Sequence, residues 1–75
     1  MDSKLIEIFN VIKSKKKSTP IEKLVATDKL RDDIGFDSLD LAELTVRIEN
    51  EFGVDVFEDG LVETVGEILE KLERQ

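Results

Sequence analysis

The stretch Gly35-Phe36-Asp37-Ser38-Leu39-Asp40-Leu41-Ala42-Glu43-Leu44 decides how this 75-residue chain is read. A glycine, then residues able to cap a helix, then apolar and acidic residues in helical spacing mark an abrupt helix start. Asp37 or Ser38 is the expected N-cap, with Gly35 allowing a tight approach. The apolar stripe continues through Leu41, Leu44, Ile48 and Phe52, with Thr45 beside it, and Gly53 is placed as the stop. A shorter stripe, Leu39, Ala42 and Val46, lies on a different face. One face goes to the core, so the other is expected to be partly exposed near the helix start. There it sits among acids, as a small docking surface would. An anion at Ser38 would meet backbone N–H groups and the positive end of the helix dipole, with nearby carboxylates opposing it.

Toward the N-terminus, Leu5, Ile8, Phe9 and Ile12 repeat at i, i+3, i+4 and i+7 and predict a first helix, with Ser3 able to cap it. The run Lys15-Lys16-Lys17 falls where a helix C-terminus favours cations, and is read as a solvated helix end, not as an anion patch. Toward the other terminus, Thr64-x-x-Glu67 predicts a capping box, and Val65, Ile68, Leu69 and Leu72 repeat the helical spacing. Little reads as strand, so the chain is all-α. Residues 18–37 are too long for a structureless loop in a small domain. Ile21, Leu24, Val25, Leu30, Ile34 and Phe36 are expected to pin them to the core, with a brief helical turn at Thr19-Pro20-Ile21-Glu22. In residues 54–63, Val54, Val56, Phe57, Leu61 and Val62 are apolar, but Gly60 interrupts them, so one short helical turn is expected. No repeat or linker is visible, and residues 1–75 are read as one domain.

Composition narrows the function classes. A domain this small has a thin core, a stability of about 3–5 kcal/mol, and little material for a deep cleft. There is no Cys, so no disulfide or thiolate metal site, and no His, the commonest general base. An enzyme is therefore not expected, nor a metal site. Asp55, Asp59 and Gly60 match positions 1, 5 and 6 of a calcium loop, but Phe57 and Gly66 break positions 3 and 12. No secretory leader is visible. No apolar run approaches the ~20 residues a membrane span needs, so the expectation is a cytoplasmic protein without membrane insertion. Residues 1–33 carry a net charge of +2 and residues 34–75 a net charge of −9. That second half would repel nucleic acid and steer a basic protein partner.

Gly35-x-Asp37-Ser38-Leu39, followed by Asp40, Glu43 and Leu44, closely resembles the attachment site of acyl carrier proteins. The likeness extends to Leu30-x-x-Asp33-Ile34-Gly35, to Glu51-Phe52-Gly53, to Thr64-Val65, and to the order of helices along nearly the whole chain. The resemblance implies a small four-helix bundle with a long first loop and a short third helix. It implies covalent 4′-phosphopantetheine on Ser38, placed there by a phosphopantetheinyl transferase that brings the magnesium, with Asp37 helping to orient that complex. The arm's thiol would hold acyl intermediates, and the chemistry would occur in partner enzymes that transfer, condense or tailor acyl groups. Asp40, Glu43, Glu49 and Glu51 would face basic patches on those partners, with Leu39 and Val46 giving apolar contact. Leu44, Ile48, Val56, Leu61, Ile68 and Leu69 would line the space for an acyl chain. The carrier is expected to be a monomer.

The chain departs from the fatty-acid-synthesis pattern in three places. Arg47 and Asn50 stand where apolar or acidic residues are usual, residues 54–63 are about two shorter, and Phe57 replaces a common proline. These departures bear on the partners, and admit a dedicated polyketide, lipid or sugar-modifying route. An aminoacyl or peptidyl carrier and an unmodified helical adaptor are the competing readings.

Overall fold

A computed structural model describes residues 2–58, 60 and 62–74. Three helices stand among them: α1 (Asp2–Lys15), α2 (Ser38–Phe52) and α3 (Val65–Glu73). Each follows from its stripe. α1 buries Leu5, Phe9 and Ile12, α2 buries Leu41, Leu44 and Ile48, and α3 buries Val65, Ile68 and Leu72. These residues and Leu30, Ile34, Phe36, Val54, Val56 and Val62 form one core. Phe9 and Phe36 meet edge to face, ring centroids 5.4 Å apart, which joins α1 to the crossover before α2.

α1 ends in a Schellman turn. Ser18 N–H donates to the Lys13 carbonyl at 3.0 Å and Lys17 N–H to that of Ser14 at 3.1 Å. Lys17 takes the left-handed conformation, φ 59°, that glycine usually supplies there. At the other end of the crossover Gly35 has φ 90°, which a side chain would strain, and the chain turns there into α2.

The crossover is ordered, as its apolar anchors predict. Leu30, Ile34 and Phe36 are buried and Ile21 and Leu24 half-buried, while Val25 is exposed. Polar clasps complete it. The Asn10 side chain donates to the Ile21 carbonyl at 3.0 Å and accepts from the Ile21 N–H at 2.8 Å. That pair uses both backbone groups of Ile21, and the helical turn expected at Thr19–Glu22 does not form. Lys13 is buried and donates its amine to the Ile34 carbonyl at 2.9 Å. Farther along, Leu30 N–H donates to Glu63, Val65 N–H to Asp28 and Gly66 N–H to Ala26, so the crossover is stitched to the start of α3. Gly66 is required by this approach: a Cβ there would stand 2.9 Å from the Ala26 carbonyl oxygen.

The short additional helix expected within residues 54–63 is not found among the described residues. The segment turns instead. Phe57 N–H donates to the Asp55 carboxylate at 3.0 Å, Glu58 N–H to the Asp55 carbonyl and Gly60 N–H to that of Phe57. Val54 and Val56 are both buried and Asp55 between them is exposed, so the segment is held to the core at two points.

Candidate functional site

The start of α2 gathers the residues singled out in the sequence. Asp37 is the N-cap, its carboxylate accepting from Asp40 N–H at 2.9 Å, and Asp40 returns a bond to Asp37 N–H at 3.1 Å. This reciprocal capping box settles which of the two candidates caps the helix. Ser38 is instead the first helical residue, and it is exposed. Its Oγ is free of capping duty and accepts a hydrogen bond from Arg31 Nη2 at 3.0 Å.

Arg31 was not legible as a site residue. It lies seven positions before Ser38, and only the folding of residues 29–36 brings the two together. Lys29 N–H donates to the Asp33 carboxylate at 2.7 Å, Ile34 N–H to the Lys29 carbonyl and Phe36 N–H to that of Leu30. Each bond shortens the path from Arg31 to α2. The signal that could have revealed it is Asp33, four residues after Lys29, placed to close such a turn.

Three of the four acids of α2 are paired within the chain. Lys16 Nζ lies 2.6 Å from Asp40 Oδ2, and Glu43 Oε2 lies 2.7 Å from Lys15 Nζ and 2.6 Å from Arg47 Nε. Glu51 lies 3.5 Å from Lys4, and Glu49 is exposed. Desolvation pushes the Asp40 carboxyl up, but the hydrogen bonds from Lys16 and from Asp37 N–H outweigh it and hold it below the ordinary value. Bonds from Lys15 and then Arg47 lower Glu43, and the bond to Asp40 raises Lys16. The lysine run is thus not merely solvated: two of its members cross-link α1 to α2.

Leu39 is 81% exposed and Val46 58%, with Ala42 exposed between them. Leu44, Ile48, Val56 and Ile68 are fully buried, and Leu69 is half-buried. Leu61 lies outside the described residues. Leu44, Ile48, Val56, Ile68 and Leu69 line neither of two open grooves that Arg31 borders. One groove, about 280 Å³, is lined by Arg31, Ser38, Leu41, Ala42, Thr45 and Phe57. The other, about 260 Å³, lies between the 29–32 turn and Val62 and Glu63, and shares Arg31 and Leu41 with the first. Among the described residues no cluster of acids is placed to hold a metal ion, and no helix is long and apolar enough to cross a membrane.

Residues 15–72 match the family model described as a phosphopantetheine attachment site. The chain is 39% identical over 74 residues to an acyl carrier protein of Thermotoga maritima, covering 92% of this chain and 91% of that one. It is 37% identical over 73 residues to an acyl carrier protein of Saccharopolyspora erythraea, covering 93% of this chain and 77% of the relative. A third, from Afipia carboxidovorans, is 42% identical over 55 residues, 71% of this chain and 70% of the relative. No solved structure gives a significant match. With a phosphopantetheine-attachment model spanning most of its length and relatives aligned nearly end to end, the chain belongs to the acyl carrier protein family.

Proposed function

We propose that this chain is a carrier, itself without catalytic activity, that holds acyl groups as thioesters on an arm joined to Ser38. The family's prosthetic group is covalent 4′-phosphopantetheine. The residues at the start of α2 fit it: an exposed hydroxyl is available for the ester, and a guanidinium stands 3.0 Å from that oxygen. The observation that carries the reading is the Ser38 hydroxyl, uncommitted to capping, within the matched region. When bound, the arm supplies a thiol that takes acyl groups.

During loading, Ser38 Oγ bonds to the pantetheine phosphorus of coenzyme A. The phosphorus–oxygen bond to the nucleotide breaks, adenosine 3′,5′-bisphosphate leaves, and the hydroxyl proton passes to a base of the transferase. Magnesium belongs to that enzyme. Asp37 fixes the position of Ser38 by capping α2, and its exposed carboxylate orients the transferase complex.

Partner enzymes that transfer, condense or tailor acyl groups then dock on α2. Leu39 and Val46 give apolar contact, and Asp40, Glu43, Glu49 and Glu51 face basic patches. Individually weak contacts suit a shuttle that must leave each enzyme. Longer cargo enters between the helices, where Leu44, Ile48, Val56, Ile68 and Leu69 must part to receive it. Such a carrier serves fatty acid or specialised polyketide or lipid biosynthesis, as a monomer in the cytoplasm.

Incubation with coenzyme A, magnesium and a broad-specificity phosphopantetheinyl transferase, followed by intact mass, tests the reading. The mass should rise by one phosphopantetheine, and the gain should vanish in Ser38→Ala. An unchanged wild-type mass with several transferases would overturn it and favour an unmodified adaptor.

A further inference from the structure

We propose that Arg31 is a binding residue for the phosphodiester of the arm, the counter-ion that fixes the arm's root against the start of α2; this rests on the attachment to Ser38 proposed above. Arg31 Nη2 already stands 3.0 Å from the oxygen that would become the ester oxygen. The non-bridging oxygens of a phosphodiester lie one bond beyond the phosphorus on that oxygen, within reach of the same planar fork. A guanidinium matches two such oxygens with parallel N–H donors.

The charge balance points the same way. Attachment adds a negative charge beside Asp37 and Asp40, in a chain of net charge −7. The cations that face α2 from the end of α1 and from α2 itself are engaged: Lys16 with Asp40 and the Gly35 carbonyl, Lys15 and Arg47 with Glu43. Arg31 has no carboxylate partner among the described residues and donates to a neutral hydroxyl. Its backbone is held in place, because Leu30 is buried and donates its N–H to Glu63 at 2.8 Å. Arg31 also borders both the groove that Ser38 lines and the one beside Val62 and Glu63, so a root fixed there sets the direction in which the arm departs.

The test compares the unmodified and pantetheinylated forms of the full chain, with the loaded fraction verified by mass. The wild-type Arg31 side-chain N–H resonance, assigned by its loss in Arg31→Lys, should shift on loading, and the arm's ³¹P resonance should move in Arg31→Ala. Loading should leave the wild-type melting temperature unchanged or raised, but lower that of Arg31→Ala, with Arg31→Lys between them. Added salt should shrink the difference. If loading succeeds but the wild-type Arg31 resonance is unmoved and the melting shift is the same in all three proteins, the inference is overturned while attachment stands. If wild type cannot be loaded at all, the attachment reading itself fails.

Discussion

Lys16 Nζ lies 2.6 Å from Asp40 Oδ2 and 2.7 Å from the Gly35 carbonyl, so one lysine just past α1 holds both sides of the turn into α2. The position of Ser38 therefore depends on a pairing between two residues 24 apart in sequence.

This pairing and that of Glu43 with Lys15 and Arg47 make stability depend on pH. The carboxyls of Asp40 and Glu43 are lowered from 3.8 and 4.5, so their contribution is complete above those values and is lost as pH falls through the lowered ones. Lys16 is raised from 10.5, so its contribution is complete below that pH and is lost as pH rises through the raised value. Urea midpoints across both limbs should therefore fall at each extreme. Lys16→Met should flatten the acid limb and remove the alkaline loss that this amine causes. An acid limb as steep as wild type would count against the pairing.

The pairing also bears on docking. With Asp40 and Glu43 already facing cations, α2 presents less negative potential than its acids alone would provide. Glu43→Lys should slow turnover with a cognate partner, whereas Lys15→Met and Lys16→Met should speed it and steepen its salt dependence. Each change should be no more than about fivefold. Steady-state rates against ionic strength measure this. Slower turnover in both lysine variants would mean that the partner reads the lysines themselves.

Asp37 has two separable roles. Asp37→Ala removes the cap and should cost about 1 kcal/mol, while Asp37→Ser keeps a cap and should cost little. Loading rates then isolate the carboxylate. A drop of the same size in both variants assigns it to transferase contact, and a drop in Asp37→Ala alone assigns it to positioning Ser38.

Gly66→Ala should destabilise the chain by about 1–3 kcal/mol, because the new methyl meets the Ala26 carbonyl and cannot be accommodated without backbone movement. In a domain of this size that is a large fraction of the total. An unshifted urea midpoint would show that the crossover yields freely.

Lys17→Gly should act in the opposite direction. A left-handed lysine costs about 1 kcal/mol, and glycine takes the same conformation without that strain. The midpoint should rise, less whatever glycine's greater freedom in the unfolded chain removes. A fall would mean that the lysine side chain contributes more than its backbone costs.

The helices were legible because each has a stripe at one period and a recognisable start. Leu41, Leu44 and Ile48 could be placed from spacing alone, as could the anchoring of Leu30, Ile34 and Phe36. What escaped depended on which side-chain bonds the folded chain forms. Asp37 and Ser38 are both good caps, and the choice follows from Asp40, which reaches back to Asp37 N–H. The Asn10 clasp on Ile21, which replaces the expected turn, carries no local signal. Lys13 sits near a lysine run typical of wet surface, yet it is buried because the Ile34 carbonyl needs a donor. Residues 54–58 have helix-compatible apolar content, but the Asp55 carboxylate accepts from Phe57 N–H and the stretch forms a turn. Arg31 became visible only when the 29–36 turn closed.

The three backbone bonds from Leu30, Val65 and Gly66 tie the start of α3 to the crossover, with partners 33 to 40 residues away. Because the three bonds join the same two short segments, these amides should share one protection factor in hydrogen exchange. The crossover and the start of α3 then behave as a single foldon, and any parting of the core to admit cargo must either move that unit whole or leave it shut.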